Sequence, residues 1–228
     1  MEVIIVSEYT TYISNLTEAE SPLIQEMENF AEENRIPIMD RNGIDTFVGL
    51  LRIQQPKFIL EIGSAIGYSA IRMVSSIKEV SIVTIERDKE RYESAVEYIE
   101  RSGYNDRITI IEGDALLMDE DLIPARQYDA LFIDAAKGQY KRFFEKYSKH
   151  VAPGGVIYCD NMFMHGAVLI PDEELPKRNR TMIRNLKEFT TWIMGHPQYE
   201  TSLLPVGDGI LIAVKKRDWG FPAFEGGK

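Results

Sequence analysis

With 228 residues, 44% of them hydrophobic, the chain is long enough to bury one substantial core, and its formal net charge of −10 argues against bulk attraction to nucleic acid. No apolar run reaches the roughly 18 residues of a membrane span, and the opening MEVIIVSEYTTY lacks the basic segment of a secretory signal, so a soluble, cytoplasmic protein is expected. Its single cysteine, Cys159, rules out an internal disulfide and a thiolate metal cluster.

The first 55 residues read as a helical extension. Ser21-Pro22 is a cap with proline at the first helical position, and Leu23, Met27, Phe30 and Ala31 follow at helical spacing. A second helix over Ile44 to Ile53 follows the extended Ile36-Pro37-Ile38-Met39. The run Phe58, Ile59, Leu60 and Ile62, opened by Pro56 and closed by Gly63, reads as a buried strand. Ile71, Met73, Val74 and Ile77 then mark a helix with Ser69 available as its cap. Alternation continues through SIVTIE (81–86), a helix from Asp88 to Arg101 ended by Gly103, RITIIEGD (107–114), DALFIDAAKG (129–138), a helix through Phe143 and Phe144 to His150, and GGVIYCDN (154–161).

A helix from Lys177 to about Met194 carries Met182, Leu186, Phe189 and Ile193 on one face and Lys177, Arg180, Arg184 and Lys187 on the other. The end, YETSLLPVGDGILIAVKK, reads as two strands joined at Val206-Gly207-Asp208-Gly209. The pattern predicts an α/β fold: one Rossmann-like, doubly wound domain over 1–228 with a seven-stranded sheet, an antiparallel C-terminal hairpin at its edge, N-terminal helices over 1–55 and a tail over 217–228.

In such a sheet, ligands bind beyond the carboxyl ends of the strands, where Glu61 and Gly63, Glu86, Asp114, Asp134, and Asp160-Asn161 all fall. One acidic strand end is ordinary, because caps and turns recruit Asp; five in register point to a site. Glu86, 23 residues beyond Gly63, stands where a ribose-binding carboxylate is expected. A dinucleotide is poorly served, since Gly63-Ser64-Ala65-Ile66-Gly67-Tyr68 has alanine and tyrosine at the second and third glycine positions of that fingerprint. No P-loop lysine is present either. Glu-x-Gly-x-x-x-Gly suits a nucleoside without phosphates and with an amino acid tail, S-adenosylmethionine. Asp134, Asp160 and Asn161 offer hard oxygen ligands, which favour Mg²⁺ or Ca²⁺ over zinc; the plainer alternative is that Asp160-Asn161 only shapes a turn.

The motifs LEIGSAIGYSAIRM, IDAAKGQY, GGVIYCDN and LPVGDGI together resemble the metal-dependent O-methyltransferases of the catechol and caffeoyl-coenzyme A type, over about residues 36 to 216. PIMDRNGI, the alanines of IDAAKGQY and WIMGHPQYETSLLPVGDG are most similar to the bacterial tRNA 5-hydroxyuridine methyltransferases within that group. The resemblance implies that Met39, Glu61, Gly63, Ser69, Glu86, Asp114 and Asp134 line the S-adenosylmethionine site, with Glu86 on the ribose and Asp114 near the adenine. It implies Mg²⁺ on Asp134, Asp160 and Asn161, and a catalytic pair of Asp134 with Lys137, the latter as general base; a solvated lysine at a helix start is the alternative for Lys137. The expected reaction is methylation of the 5-hydroxyl of 5-hydroxyuridine at the tRNA wobble position to give 5-methoxyuridine. The alternative is a small catechol or caffeoyl-coenzyme A acceptor. Both offer two adjacent oxygens to one cation, so the core motifs do not separate them. A net of +4 over residues 135–188, against −7 over residues 1–35, makes the basic face of the Lys177–Met194 helix the expected contact with an anticodon stem-loop. Relatives of the catechol type suggest a homodimer.

Overall fold

The computed structural model describes residues 9, 11–13, 15–16, 20–124 and 126–217, so the first eight residues and the 218–228 segment, to which no role is assigned, lie outside it. Strands β1 (Phe58–Ile62), β2 (Ser81–Glu86), β3 (Ile108–Glu112), β4 (Tyr128–Ile133), β5 (Val151–Cys159), β6 (Tyr199–Leu204) and β7 (Ile210–Lys215) form one sheet in the order β3-β2-β1-β4-β5-β7-β6. The first five are parallel, and β7 runs antiparallel to both β5 and β6, as the hairpin-edge reading requires. The chain winds outward from β1 in one direction and from β4 in the other, so β1 and β4 flank the switch point.

The described helices are α1 (Pro22–Asn34), α2 (Arg41–Gln54), α3 (Tyr68–Ser76), α4 (Lys89–Ser102), α5 (Tyr140–Tyr147) and α6 (Lys177–Met194). None is long and apolar enough to cross a membrane. The strands read as unbroken apolar runs because both sheet faces are covered. Ile59 joins the core under α1 to α4, whereas its neighbours Leu60 and Ile62 join the opposite core under α5 and α6. Glu61 must therefore point to the α1 to α4 side. Cys159 is fully buried in β5, and that burial pushes its thiol far above the usual range, as befits a structural cysteine.

Several boundaries move for identifiable reasons. α2 begins at Arg41, three residues before the expected Ile44, because the Asp40 carboxylate accepts the Gly43 N–H at 3.0 Å and caps it. Ser69 is not the cap of α3; Gly67, in the left-handed region at φ 82°, takes that position, and Ser69 lies within the first turn. On α6 the fully packed residues are Ile183, Leu186, Phe189 and Ile193, so Ile183 takes the core position expected of Met182. The acidic N-terminal helices pack on the sheet side that α3 and α4 occupy. There Arg72 binds Asp45 and Glu20, the Tyr68 hydroxyl donates to Glu28 at 2.7 Å, and Arg101 pairs with Glu26.

Gly63 sets the spacing at the switch point. Its backbone is left-handed at φ 96°, and a Cβ there would sit 2.1 Å from the carbonyl oxygen of Asp134. Gly63→Ala therefore combines about 1–2 kcal/mol of left-handed strain with about 1–3 kcal/mol of overpacking. Urea denaturation should show a loss of more than about 2 kcal/mol; a midpoint equal to wild type would show that β1 and β4 can separate at no cost.

Candidate active site

The carboxyl ends of β1 to β4 open on a cavity of about 380 Å³. Met39, Gly63, Ser69, Glu86, Asp114 and Asp134 all line it, as does Lys137. Sequence reasoning missed Ser64, Ala65, Tyr68, Leu116 and Gln139 on its wall, and missed Met182, which α6 contributes. A wall residue held by its backbone carries no compositional signal. Met182 follows the same spacing as the core residues of its helix, and only the packing of α6 against Gly138 turns it toward the cavity.

The polar groups of the wall are already organised. Glu86 Oε2 accepts the Ala65 N–H at 2.8 Å, and Oε1 accepts the N–H groups of Arg87 and Asp88 at 2.9 Å each. These occupy three of about four acceptor sites on the carboxylate, leaving capacity for one further donor such as a ribose hydroxyl. Ala65 reaches this bond in a left-handed conformation, φ 45°, at the position a dinucleotide fingerprint gives to glycine. Asp114 divides its work: Oδ1 accepts the Leu116 N–H at 2.8 Å and shapes the turn after β3, while the residue also faces the cavity.

Glu61 stands apart from its expected role as a lining residue. It is fully buried behind the wall, with Oε1 accepting the Ser69 hydroxyl at 2.5 Å and Oε2 left without a hydrogen bond. Thr84 is its register partner on β2, yet no bond of acceptable geometry closes between them. Burial pushes the Glu61 carboxyl up to about 7, and the Ser69 hydroxyl offsets that only in part. The Ser64 hydroxyl, on the wall, is a second buried group without a partner.

Asp134 and Asp160 follow paired positions, since Ile133 and Cys159 are register partners on β4 and β5. Lys137 Nζ binds Asp134 Oδ1 at 2.6 Å, and both side chains are only 18% exposed. Asp160 is 2% exposed, and the Tyr140 hydroxyl clamps its carbonyl at 2.8 Å. Burial first, and the Asp134 charge second, hold the Asp160 carboxyl well above the usual range, against a backbone hydrogen bond from Asn161. Asn161 is left-handed at φ 54°, a conformation asparagine tolerates. Among the described residues no three His, Cys, Asp or Glu side chains converge in a way that could hold a metal ion.

The basic face of α6 is largely engaged within the chain. Arg184 and Lys187 bind Asp172, Lys187 also donates to the Ile170 carbonyl at 2.7 Å, and Arg180 donates to the carbonyls of Glu173 and Leu175 at 3.0 Å each. These three residues fasten the 170–175 loop to the helix. Lys177 is exposed at its start.

A strand, a glycine turn and a helix that end in a carboxylate-lined cavity define a nucleoside-binding α/β transferase fold, and comparison with known proteins specifies which. The O-methyltransferase family model matches residues 14–216, and the chain belongs to that family. It is 32% identical over 168 residues to a caffeoyl-CoA O-methyltransferase of Populus kitakamiensis, covering 72% of each chain. A solved structure from Staphylococcus aureus is similar with a TM-score of 0.84 at 32% identity, over 92% of this chain and 99% of that one. The O-methyltransferase of Bacillus cereus, solved in complex with SAH, gives a TM-score of 0.78 at 27% identity, over 90% and 96%.

The Glu61 site predicts a pH dependence of stability. Its folded pKa of about 7 lies above the usual carboxyl value of 4.5, so the folded state holds the extra proton. The destabilisation is absent below about pH 4.5, grows through the window, and is complete above about 7. Glu61→Gln should flatten the fall in melting temperature across that window and match or exceed wild type at pH 8. An unchanged pH slope would show that Glu61 titrates normally.

Proposed function

We propose that this chain transfers the methyl group of S-adenosylmethionine to one hydroxyl of a small acceptor with two adjacent oxygens, a catechol of the caffeoyl type, with a divalent cation, Mg²⁺, holding the oxygen pair. The observation that carries the reading is the double duty of Asp134, which lines the cofactor cavity while standing beside buried Asp160. A donor and an acceptor that meet at one residue can be held in line.

The cofactor fits the residues present. Ser64 Oγ, buried on the cavity wall and without a partner, is an acceptor suited to an ammonium group, and a cavity of about 380 Å³ is within the ordinary range for ligand sites. Glu86 retains capacity for a ribose hydroxyl, and Asp114 lies at the end where the adenine would rest. The donor set also fits a hard cation: Asp134, Asp160 and the Asn161 amide present oxygen only, and a cation would relieve the repulsion between the two carboxylates. When bound, it supplies Lewis-acid stabilisation of the acceptor oxyanion. In this reading Lys137, as a neutral amine released from its ion pair with Asp134, is the group of the chain that takes the hydroxyl proton, and its place on the cavity wall keeps Nζ near the acceptor.

Two considerations support the small acceptor over tRNA. The relatives reported above include a caffeoyl-CoA enzyme, and the basic residues that would grip phosphates are engaged in fastening the 170–175 loop. The test presents both acceptors to the purified protein with S-adenosylmethionine and Mg²⁺. Small catechols or caffeoyl-CoA should be methylated, and tRNA carrying 5-hydroxyuridine should react poorly; the reverse preference would overturn the small-acceptor reading. In the same assay Asp160→Ala should lower kcat by on the order of 10²-fold or more while S-adenosylmethionine binding by calorimetry stays within about twofold of wild type. Full activity in the variant, or in protein stripped with EDTA, would sink the metal assignment.

A further inference from the structure

The turn between β6 and β7, Val206-Gly207-Asp208-Gly209, has no part in the reaction as described, yet its Asp208 is only 8% exposed. A charged residue at a hairpin tip is ordinarily solvated. This one is covered because the turn folds over the segment that leaves β5. Met162 donates its N–H to the Gly209 carbonyl at 3.0 Å, and Phe163 donates to the Asp208 carbonyl at 2.8 Å. The glycines on either side permit the approach: a Cβ on Gly209 would lie 2.7 Å from the Phe163 ring, and one on Gly207 2.6 Å from Asp40 Oδ2.

The Asp208 carboxylate faces Asn161. Its Oδ1 accepts the His165 N–H at 2.6 Å, while Oδ2 lies 3.5 Å from Asn161 Nδ2 and 3.7 Å from His165 Nδ1. An amide has a donor end and an acceptor end of nearly the same shape, and a cation can use only the oxygen. An ionised carboxylate accepts and cannot donate, so it attracts the NH₂ end and turns the oxygen away from itself. The amide group would otherwise be free to present either atom.

We propose that Asp208 is a positioning residue that selects the Asn161 amide oxygen as the atom offered to the divalent cation. The inference rests on the cation reading above and adds a residue to it. Outer partners that orient a metal ligand typically change affinity by about 10 to 100-fold when removed.

The test uses the full chain with Mn²⁺ as probe, binding followed by calorimetry and by the electron paramagnetic resonance of free Mn²⁺. Asp208→Ala should weaken Mn²⁺ binding by about 10 to 100-fold and leave S-adenosylmethionine binding within about twofold of wild type. Asp208→Asn, which keeps an oxygen acceptor in place, should recover part of the loss, and it carries the test if the alanine variant does not fold. In an Asn161→Ala background neither substitution should weaken Mn²⁺ binding further, because no amide remains to orient. A merely structural Asp208 would instead lower S-adenosylmethionine and Mn²⁺ affinity together, and its loss would add to that of Asn161→Ala; either result overturns the inference. So does Mn²⁺ binding within about twofold of wild type in both Asp208 variants. A wild-type chain that binds no Mn²⁺ overturns the cation reading itself, and this inference with it.

Discussion

The close approach of β1 to β4 at Gly63 is the constraint on which the site depends. The Gly63 N–H reaches the Ile85 carbonyl of β2, and the Asp134 N–H reaches the Ile62 carbonyl of β1, both at 2.9 Å, so the end of β1 is tied to a neighbour on each side and the second bond crosses the switch point. Only a residue without a side chain can stand there. The consequence is chemical. Asp134, which follows β4, is brought to the wall of the cavity and remains beside Asp160.

Around that junction the protein tolerates groups that a fold optimised for stability alone would avoid. Glu61 keeps a buried oxygen without a partner, Asp160 keeps a buried carboxylate beside Asp134, and Ala65 and Asn161 hold left-handed backbones. The surroundings hold these features in place. Arg72, 6% exposed, ties Asp45 of α2 and Glu20 ahead of α1 to the helix that follows the glycine loop, and its Nη1 donates to the Tyr68 hydroxyl at 3.0 Å. Tyr68 also lines the cavity. The acidic N-terminal helices are therefore part of the structure that closes the site.

The basic face of α6 shows how a charge pattern can be real and still mislead. Helical spacing correctly separates Arg180, Arg184 and Lys187 from the packed residues of the same helix. It says nothing of what approaches that face. The loop between β5 and α6 returns across the helix and presents Asp172 and three carbonyls, which the cations bind. An acidic residue in a loop has no helical period, so its partners could not be read from the pattern. These loop contacts are one of the two considerations behind the proposed small acceptor.

The sequence by itself determined the α/β alternation, the seven strands, the antiparallel hairpin edge and the clustering of Glu86, Asp114, Asp134 and Asp160 at or just beyond the strand ends, because each follows from local periodicity and from the turn that ends a strand. The glycine and acidic motifs also carried the family. Tertiary structure decided the rest. It withdrew Ser69 from the cap and turned it onto Glu61, brought Met182 to the cavity, joined Lys137 to Asp134, spent the α6 cations on a loop, and laid Asp208 over Asn161. The Met182 and Asp208 contacts join residues separated in the chain by elements whose relative placement local propensity does not specify, and the others depend on how a loop turns back on the element beside it. Which polar group ends up facing which is set by how the two sheet faces are packed, and that packing is a property of the whole chain.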